Sequence, residues 1–231
     1  MSYDAVIFDL FGTLIDDLSH PESQRVEYEQ VMSETAASLS VPIDDFMRLW
    51  LEMVDSRMTG ALPTTDAAFA QICQQLGAQR EAEQISSAAR IRFEYIRRSL
   101  KPRHDTIETL LQLKTSGCKV GLISDCTPET PALWPDTPFE AVIEAPVFPC
   151  AVGLRKPDPR IYALACERLQ VELQRCIFIG DGGSKELTGA SDVGMRAVLI
   201  RAPYDDDIGG GREEWQGDRI SSLKEILSFI T

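Results

Sequence analysis

Three acidic residues and one lysine stand just past short apolar runs of this chain. Asp9 opens Asp9-Leu10-Phe11-Gly12-Thr13, Lys156 opens Lys156-Pro157-Asp158-Pro159, and Asp181 and Glu186 fall within Gly180-Asp181-Gly182-Gly183-Ser184-Lys185-Glu186. A further run ends in Ser124-Asp125. Singly, Asp9 reads as a strand terminator and Lys156 as a solvated loop charge. Together they do not: carboxylates gathered at one sheet edge, about 4 Å apart at an effective dielectric of ~20, would repel by roughly 4 kcal/mol per pair. Lys156 supplies one positive charge. A hard divalent cation with oxygen ligands would supply the rest, and magnesium is the expected ion where a phosphate also coordinates. The chemistry open to such a group is nucleophilic. A carboxylate such as Asp9 splits one hard displacement into two easier ones through an acyl phosphate. Ser124 and the amides beyond it can hold phosphate oxygens, and Lys156 can neutralise the phosphoryl charge. Gly12 lets the chain leave its strand sharply.

The elements that must position these residues are legible as alternating patterns. Val- and Ile-rich runs at 5–8, 120–123, 141–143, 176–179 and 197–200 read as strands buried on both faces, hence a parallel sheet. Helix-patterned stretches at 106–115, 159–169, 186–193 and 221–229 lie between and after them. The alternation predicts an α/β core with a doubly wound parallel sheet of Rossmann-like form, whose active site lies at the carboxyl ends of the strands. Residues 17–100 break the alternation, with candidate helices at 26–39, 44–58, 66–76 and 81–100 and no strand. This segment is expected to be an inserted helical-bundle cap. It would join a core made of 1–16 and 101–231 through crossings near Asp16–Ser19 and Leu100–His104.

Bulk properties narrow the function class. The 231 residues can bury a full core, and 44% hydrophobic with 26% charged residues is ordinary for a globular protein. Asp plus Glu total 36 against 23 Lys plus Arg; the net charge of −13 disfavours nucleic acid and anionic membrane surfaces as partners. The expected partner is a small anionic, phosphorylated substrate, bound by a monomer or homodimer. No signal-like or membrane-spanning stretch opens the chain, which predicts a cytoplasmic location. The six cysteines form no C-x-x-C pair and read as free buried thiols.

The order and content of the four polar segments resemble the haloacid dehalogenase superfamily, in its group with a helical cap inserted after the first motif. The resemblance covers nearly the whole chain. It implies that Asp9, the first Asp of a D-x-x-G-T signature, is the nucleophile of a magnesium-dependent hydrolase. It implies that Ser124 binds the transferring phosphoryl group and that Lys156, in its K-P-D-P context, is the motif lysine. In the G-D-x-x-x-x-[DE] segment Asp181 becomes a metal ligand and Glu186 a supporting acid; the carbonyl of Phe11 is the expected extra ligand. A phosphatase acting through an aspartyl phosphate is the implied activity.

Two positions depart from that pattern. Phosphatases of the family normally carry a second Asp two residues after the nucleophile as general acid and base, where this chain has Phe11. Losing a positioned acid and base costs about 10²–10⁴ in rate. An aromatic there resembles the family's 2-haloacid dehalogenases, which form an aspartyl ester without metal. Those enzymes usually replace the motif-four Asp with a neutral pair, whereas Asp181 is retained here, so phosphate chemistry is favoured. A non-catalytic binding module is the third reading. The other departure, Asp125, stands where relatives usually have Asn and calls for a basic partner, for which Lys185 is a candidate. Within the predicted cap, Arg57, Thr59 and Gly60, with Tyr28 and Arg25, are candidate substrate readers; Phe46 and Trp50 at helical spacing read as cap core. His20 and His104 are placed near the crossings.

Overall fold

A computed structural model describes residues 3–16, 22–202 and 212–230. Asp17, Ser19 and His20, which the sequence places at the first crossing, lie outside the described residues.

Among the described residues six parallel strands form one sheet: β1 (Ala5–Phe8), β2 (Lys119–Ile123), β3 (Ala145–Val147), β4 (Cys176–Gly180), β5 (Arg196–Ile200) and β6 (Asp218–Ile220), in the order β3-β2-β1-β4-β5-β6. The central strands are apolar at every position because both faces are covered. Along β1, Val6 and Phe8 join one core cluster while Ala5 and Ile7 join the other, the two-residue alternation of a pleated strand. Helix α7 (Pro159–Leu169) packs on β2 and β3. Its start follows from Asp158, whose side chain accepts from the Arg160 amide at 2.9 Å, and from Pro159 in the first turn.

Among the described residues, five helices intervene between β1 and α6 (Thr106–Thr115): α1 (Glu22–Ser38), α2 (Ile43–Glu52), α3 (Val54–Met58), α4 (Thr65–Gln75) and α5 (Ala82–Ser99). All but α3 contribute to a separate core in which the rings of Phe46, Trp50 and Phe69 pack together with Met32, Leu39 and Ile72. The helix predicted over 44–58 is interrupted at Met53, between α2 and α3.

Three further features correct or extend the sequence reading. The run at 141–143 is a turn: Val142 and Ile143 are buried, but their amides bond back to the Phe139 carbonyl. The strand begins at Ala145 and includes Pro146, tolerated because β3 is an edge strand. The opposite edge, β6, has only Ile220 buried, too little apolar pattern to announce a strand. Over the predicted helix at 221–229, a 3-10 turn at Leu223–Ile226 precedes a short helix, Leu227–Ile230. All six cysteines are free thiols, and five are buried. Among the described residues no helix is long and apolar enough to cross a membrane.

Candidate active site

The centre of the sheet decides where the acids meet. Phe8 of β1 is in register with Ile179 of β4, so Asp9 and Asp181 leave adjacent strands at the same carboxyl edge, beside the reversal of strand order where ligands bind in such sheets. Glu186 comes to the same place at the start of α8 (Glu186–Asp192), after a loop in which Gly182, Ser184 and Lys185 all have left-handed backbone. Left-handed conformations at non-glycine residues are costly and tend to gather at functional sites. One carboxylate oxygen each from Asp9, Asp181 and Glu186 lie within 4.8 Å of one another, and all three residues are buried.

Lys156 is buried among them. Its Nζ donates to Asp9 Oδ1 at 2.5 Å and also to Glu186 Oε2. Glu186 Oε1 accepts from the Gly182 amide at 3.1 Å, so both its oxygens are engaged. Thr13 Oγ1 donates to Asp9 Oδ2 at 3.3 Å. Asp181 Oδ1 accepts from the Gly183 amide at 2.9 Å, while Oδ2 accepts from Arg212 Nε at 2.9 Å.

The electrostatics follow from burial. One ammonium faces two desolvated carboxylates with a third beside them. Burial, and then the charge of Asp181, push Asp9 up to about 6 against the opposing pull of Lys156. Burial and the neighbouring Asp9 raise Glu186 well above the carboxylate range. Burial alone would depress Lys156, but Asp9 and Glu186 hold it well above its ordinary value. The cluster is therefore short of positive charge around Asp9 and Glu186.

Gly12 is required by space as well as by its φ of +75°, since a Cβ there would lie 2.1 Å from Asp181 Oδ2. Ser124, directly after β2, is buried, and its hydroxyl makes no hydrogen bond among the described residues. Asp125 faces Arg155 instead of Lys185: its Oδ2 is 3.8 Å from Arg155 Nε, its Oδ1 accepts from the Lys156 amide at 3.2 Å, and Lys185 is exposed.

A cavity of about 420 Å³ lies between this edge and the inserted helices. Phe11 and residues 125–127 line one side; Arg25, Tyr28, Met58, Arg92 and Tyr95 line the other. Of the candidate readers, Arg25 and Tyr28 therefore reach it. Arg57 instead stacks on the Trp50 ring, 3.3 Å from its centroid, and donates to the Trp50 carbonyl. Thr59 bonds back to the Asp55 carbonyl, and Gly60 packs against the Cys150 carbonyl, a contact a Cβ would close. His104 is exposed beside Asp105.

Sequence reasoning missed Thr13, Arg92 and Arg212. Thr13 was visible in the D-x-x-G-T signature. Arg212 had no local signal: it is placed by Glu213, whose amide donates to the Gly182 carbonyl and whose carboxylate accepts from the Leu187 and Thr188 amides at the start of α8.

Comparison with known proteins agrees with this architecture. A protein named glyceraldehyde 3-phosphate phosphatase from Methanopyrus kandleri is 26% identical over 230 residues, spanning 98% of this chain and 96% of its own. The (S)-2-haloacid dehalogenase 4A of Burkholderia cepacia is 28% identical over 212 residues, 86% of this chain and 83% of its own. The crystal structure of a HAD phosphatase from Thermococcus onnurineus superposes with a TM-score of 0.66 at 23% identity, covering 98% of this chain and 97% of that one. The model of the haloacid dehalogenase-like hydrolases matches residues 3–194. That span runs from the strand that carries Asp9 through the helix that carries Glu186, and on it the chain belongs to the haloacid dehalogenase-like hydrolase family.

Proposed function

We propose that this hydrolase is a magnesium-dependent phosphatase that acts on a small phosphorylated metabolite in the cytoplasm, with Asp9 as nucleophile. Residues 17–100 serve as a helical cap over a core of 1–16 and 101–231. The observation that carries the proposal is the buried trio Asp9, Asp181 and Glu186, served between Asp9 and Glu186 by the single ammonium of Lys156. The relative from Methanopyrus kandleri, a phosphatase by name, supports the same reading.

The donor set fits a hard divalent cation, since it offers carboxylate oxygens close enough to share one ion and an excess of buried negative charge. Asp9, Asp181 and the Phe11 carbonyl would hold it, with Glu186, already committed to Lys156 and Gly182, acting as a supporting acid. When bound, the ion supplies Lewis-acid charge that lets two anions approach.

This chain's own residues do the rest. A carboxylate oxygen of Asp9 attacks phosphorus, the bond from phosphorus to the ester oxygen breaks, and the leaving group departs with the bonding pair. Water then hydrolyses the aspartyl phosphate, releasing phosphate and restoring the carboxylate. Lys156 holds Asp9 in place and offsets the negative charge, and the unpaired Ser124 hydroxyl is a ready donor to a phosphoryl oxygen. With Phe11 where an acid would stand, leaving groups that need no proton are favoured. Phosphate release from acetyl phosphate or p-nitrophenyl phosphate should depend on magnesium. Activity indifferent to a chelator would remove the metal.

A second reading, 2-haloacid dehalogenation through an aspartyl ester, is favoured by Phe11 and by Arg212, which already compensates Asp181 without an ion. Chloride release from 2-chloropropionate in the presence of chelator distinguishes it.

A further inference from the structure

We infer that the cavity receives a phosphate ester whose organic part is largely apolar and ends in a carboxylate, which Arg92 and the Tyr95 hydroxyl bind. The phosphoryl end of this inference rests on the phosphatase reading above; the carboxylate subsite rests on the cavity alone.

Phe11 and Asp125 line the cavity, and they follow closely on Asp9 and Ser124. A phosphoryl group held at Asp9 therefore directs its organic part into this space. Beside Arg25, Asp125, Thr127 and Thr130 the walls are Phe11, Tyr28, Met58 and Ile96, a mainly apolar surface that matches a ring or alkyl chain better than a polyol. A volume of about 420 Å³ also exceeds what a three-carbon phosphate would fill.

Charge on the far side fixes the other end. Arg57, Arg92 and Glu129 are all buried, and Glu129 is the carboxylate whose charge acts on both guanidiniums, by an ion pair with Arg92 and through space on Arg57. Arg92 Nε is 3.5 Å from Glu129 Oε1, and the Trp50 ring lies against both guanidiniums. Among the described residues, Nε of Arg57, Nε of Arg92 and both oxygens of Glu129 make no hydrogen bond. Burial depresses Arg57 to about 10. A buried surplus of positive charge with unused donors is costly unless an anion completes it. Arg92 is the member of the cluster that lines the cavity. Tyr95 lines it too, and its hydroxyl, 2% exposed as a residue, has no hydrogen-bond partner among the described residues. Burial raises that phenol to about 12, so it stays a donor.

The test compares benzylphosphonate with 4-carboxybenzylphosphonate, both resistant to hydrolysis, by calorimetry on the full chain with magnesium. The carboxylate should tighten binding about 10-fold or more, as a charge-assisted hydrogen bond does. Arg92→Met should abolish that advantage and leave benzylphosphonate within about twofold. Arg92 is the ion-pair partner of Glu129, which then retains only the through-space charge of Arg57. Tyr95→Phe, which removes only the hydroxyl, should lose part of the advantage and keeps the test available if the Arg92 variant unfolds. Equal affinity of the two phosphonates, or an advantage that survives Arg92→Met, overturns the inference. Binding of 4-methylbenzoate, which has no phosphonate, probes the subsite separately. If its affinity depends on Arg92 while phosphonates add nothing, the subsite stands and the phosphatase reading falls.

Discussion

The ammonium of Lys156 lies 2.5 Å from a carboxylate oxygen of Asp9, with both side chains nearly excluded from solvent, and the same ammonium donates to Glu186. Lys156→Met would leave two buried carboxylates facing one another. Removing one partner of a buried ion pair typically costs about 3–5 kcal/mol. We expect a loss of that order in urea unfolding at neutral pH, a smaller loss in mild acid, where the carboxyls protonate, and turnover reduced by at least ~10². Unchanged stability would mean that the lysine is not their counter-ion.

Asp9 is pushed up to about 6 from an ordinary 3.8, burial being the main cause. A carboxyl with a higher pKa folded than unfolded favours the fold in its protonated form. That contribution is complete below 3.8 and is lost as pH rises through about 6. Asp9→Asn imitates the protonated state. It should abolish turnover yet, in chelator, be more stable than wild type above about pH 6, by on the order of 1–3 kcal/mol, with the difference vanishing below about pH 4. Thermal unfolding across this range checks it; a less stable variant at neutral pH contradicts the stated cause. A cation on Asp9 lowers its pKa, so the acid limb of the pH–rate profile should fall at or below about 6.

Arg212 and a divalent ion compete for Asp181 Oδ2, which the guanidinium holds at 2.9 Å. Arg212→Gln is expected to lower the magnesium concentration that gives half-maximal phosphate release severalfold. A higher requirement would show that the arginine assists the loaded site.

Phe11 occupies the place of a general acid, and such groups contribute about 10²–10⁴ in rate. Phe11→Asp should raise turnover of alkyl phosphates by about 10-fold or more and change aryl phosphates far less, because only the alkoxide needs a proton. The ratio of the two kcat/KM values is the measurement. A uniform fall in both would assign the aromatic to a different reaction.

Asp9 and Asp181 were legible in the sequence because each directly follows a short, fully apolar run, and the polar residue that ends such a strand lies at a sheet edge; Lys156 and Glu186 were legible from the polar segments K-P-D-P and G-D-x-x-x-x-E in which they stand. The helix Pro159–Leu169 was legible to the residue, since Asp158 and Pro159 encode its start locally. The turn at 141–143 was not, because buried Val142 and Ile143 satisfy an apolar pattern whether their amides pair with a strand or with Phe139. Nor could spacing reveal that Arg212 meets Asp181, that Asp125 faces Arg155, or that Arg92 pairs with Glu129 while Arg57 and Arg92 both lie against the Trp50 ring. By itself the sequence determined which residues end the central strands, and so which groups could react. The tertiary structure alone decided which charges neutralise one another and what space lies before them, because desolvation and Coulomb energy depend on distances between segments far apart in the chain.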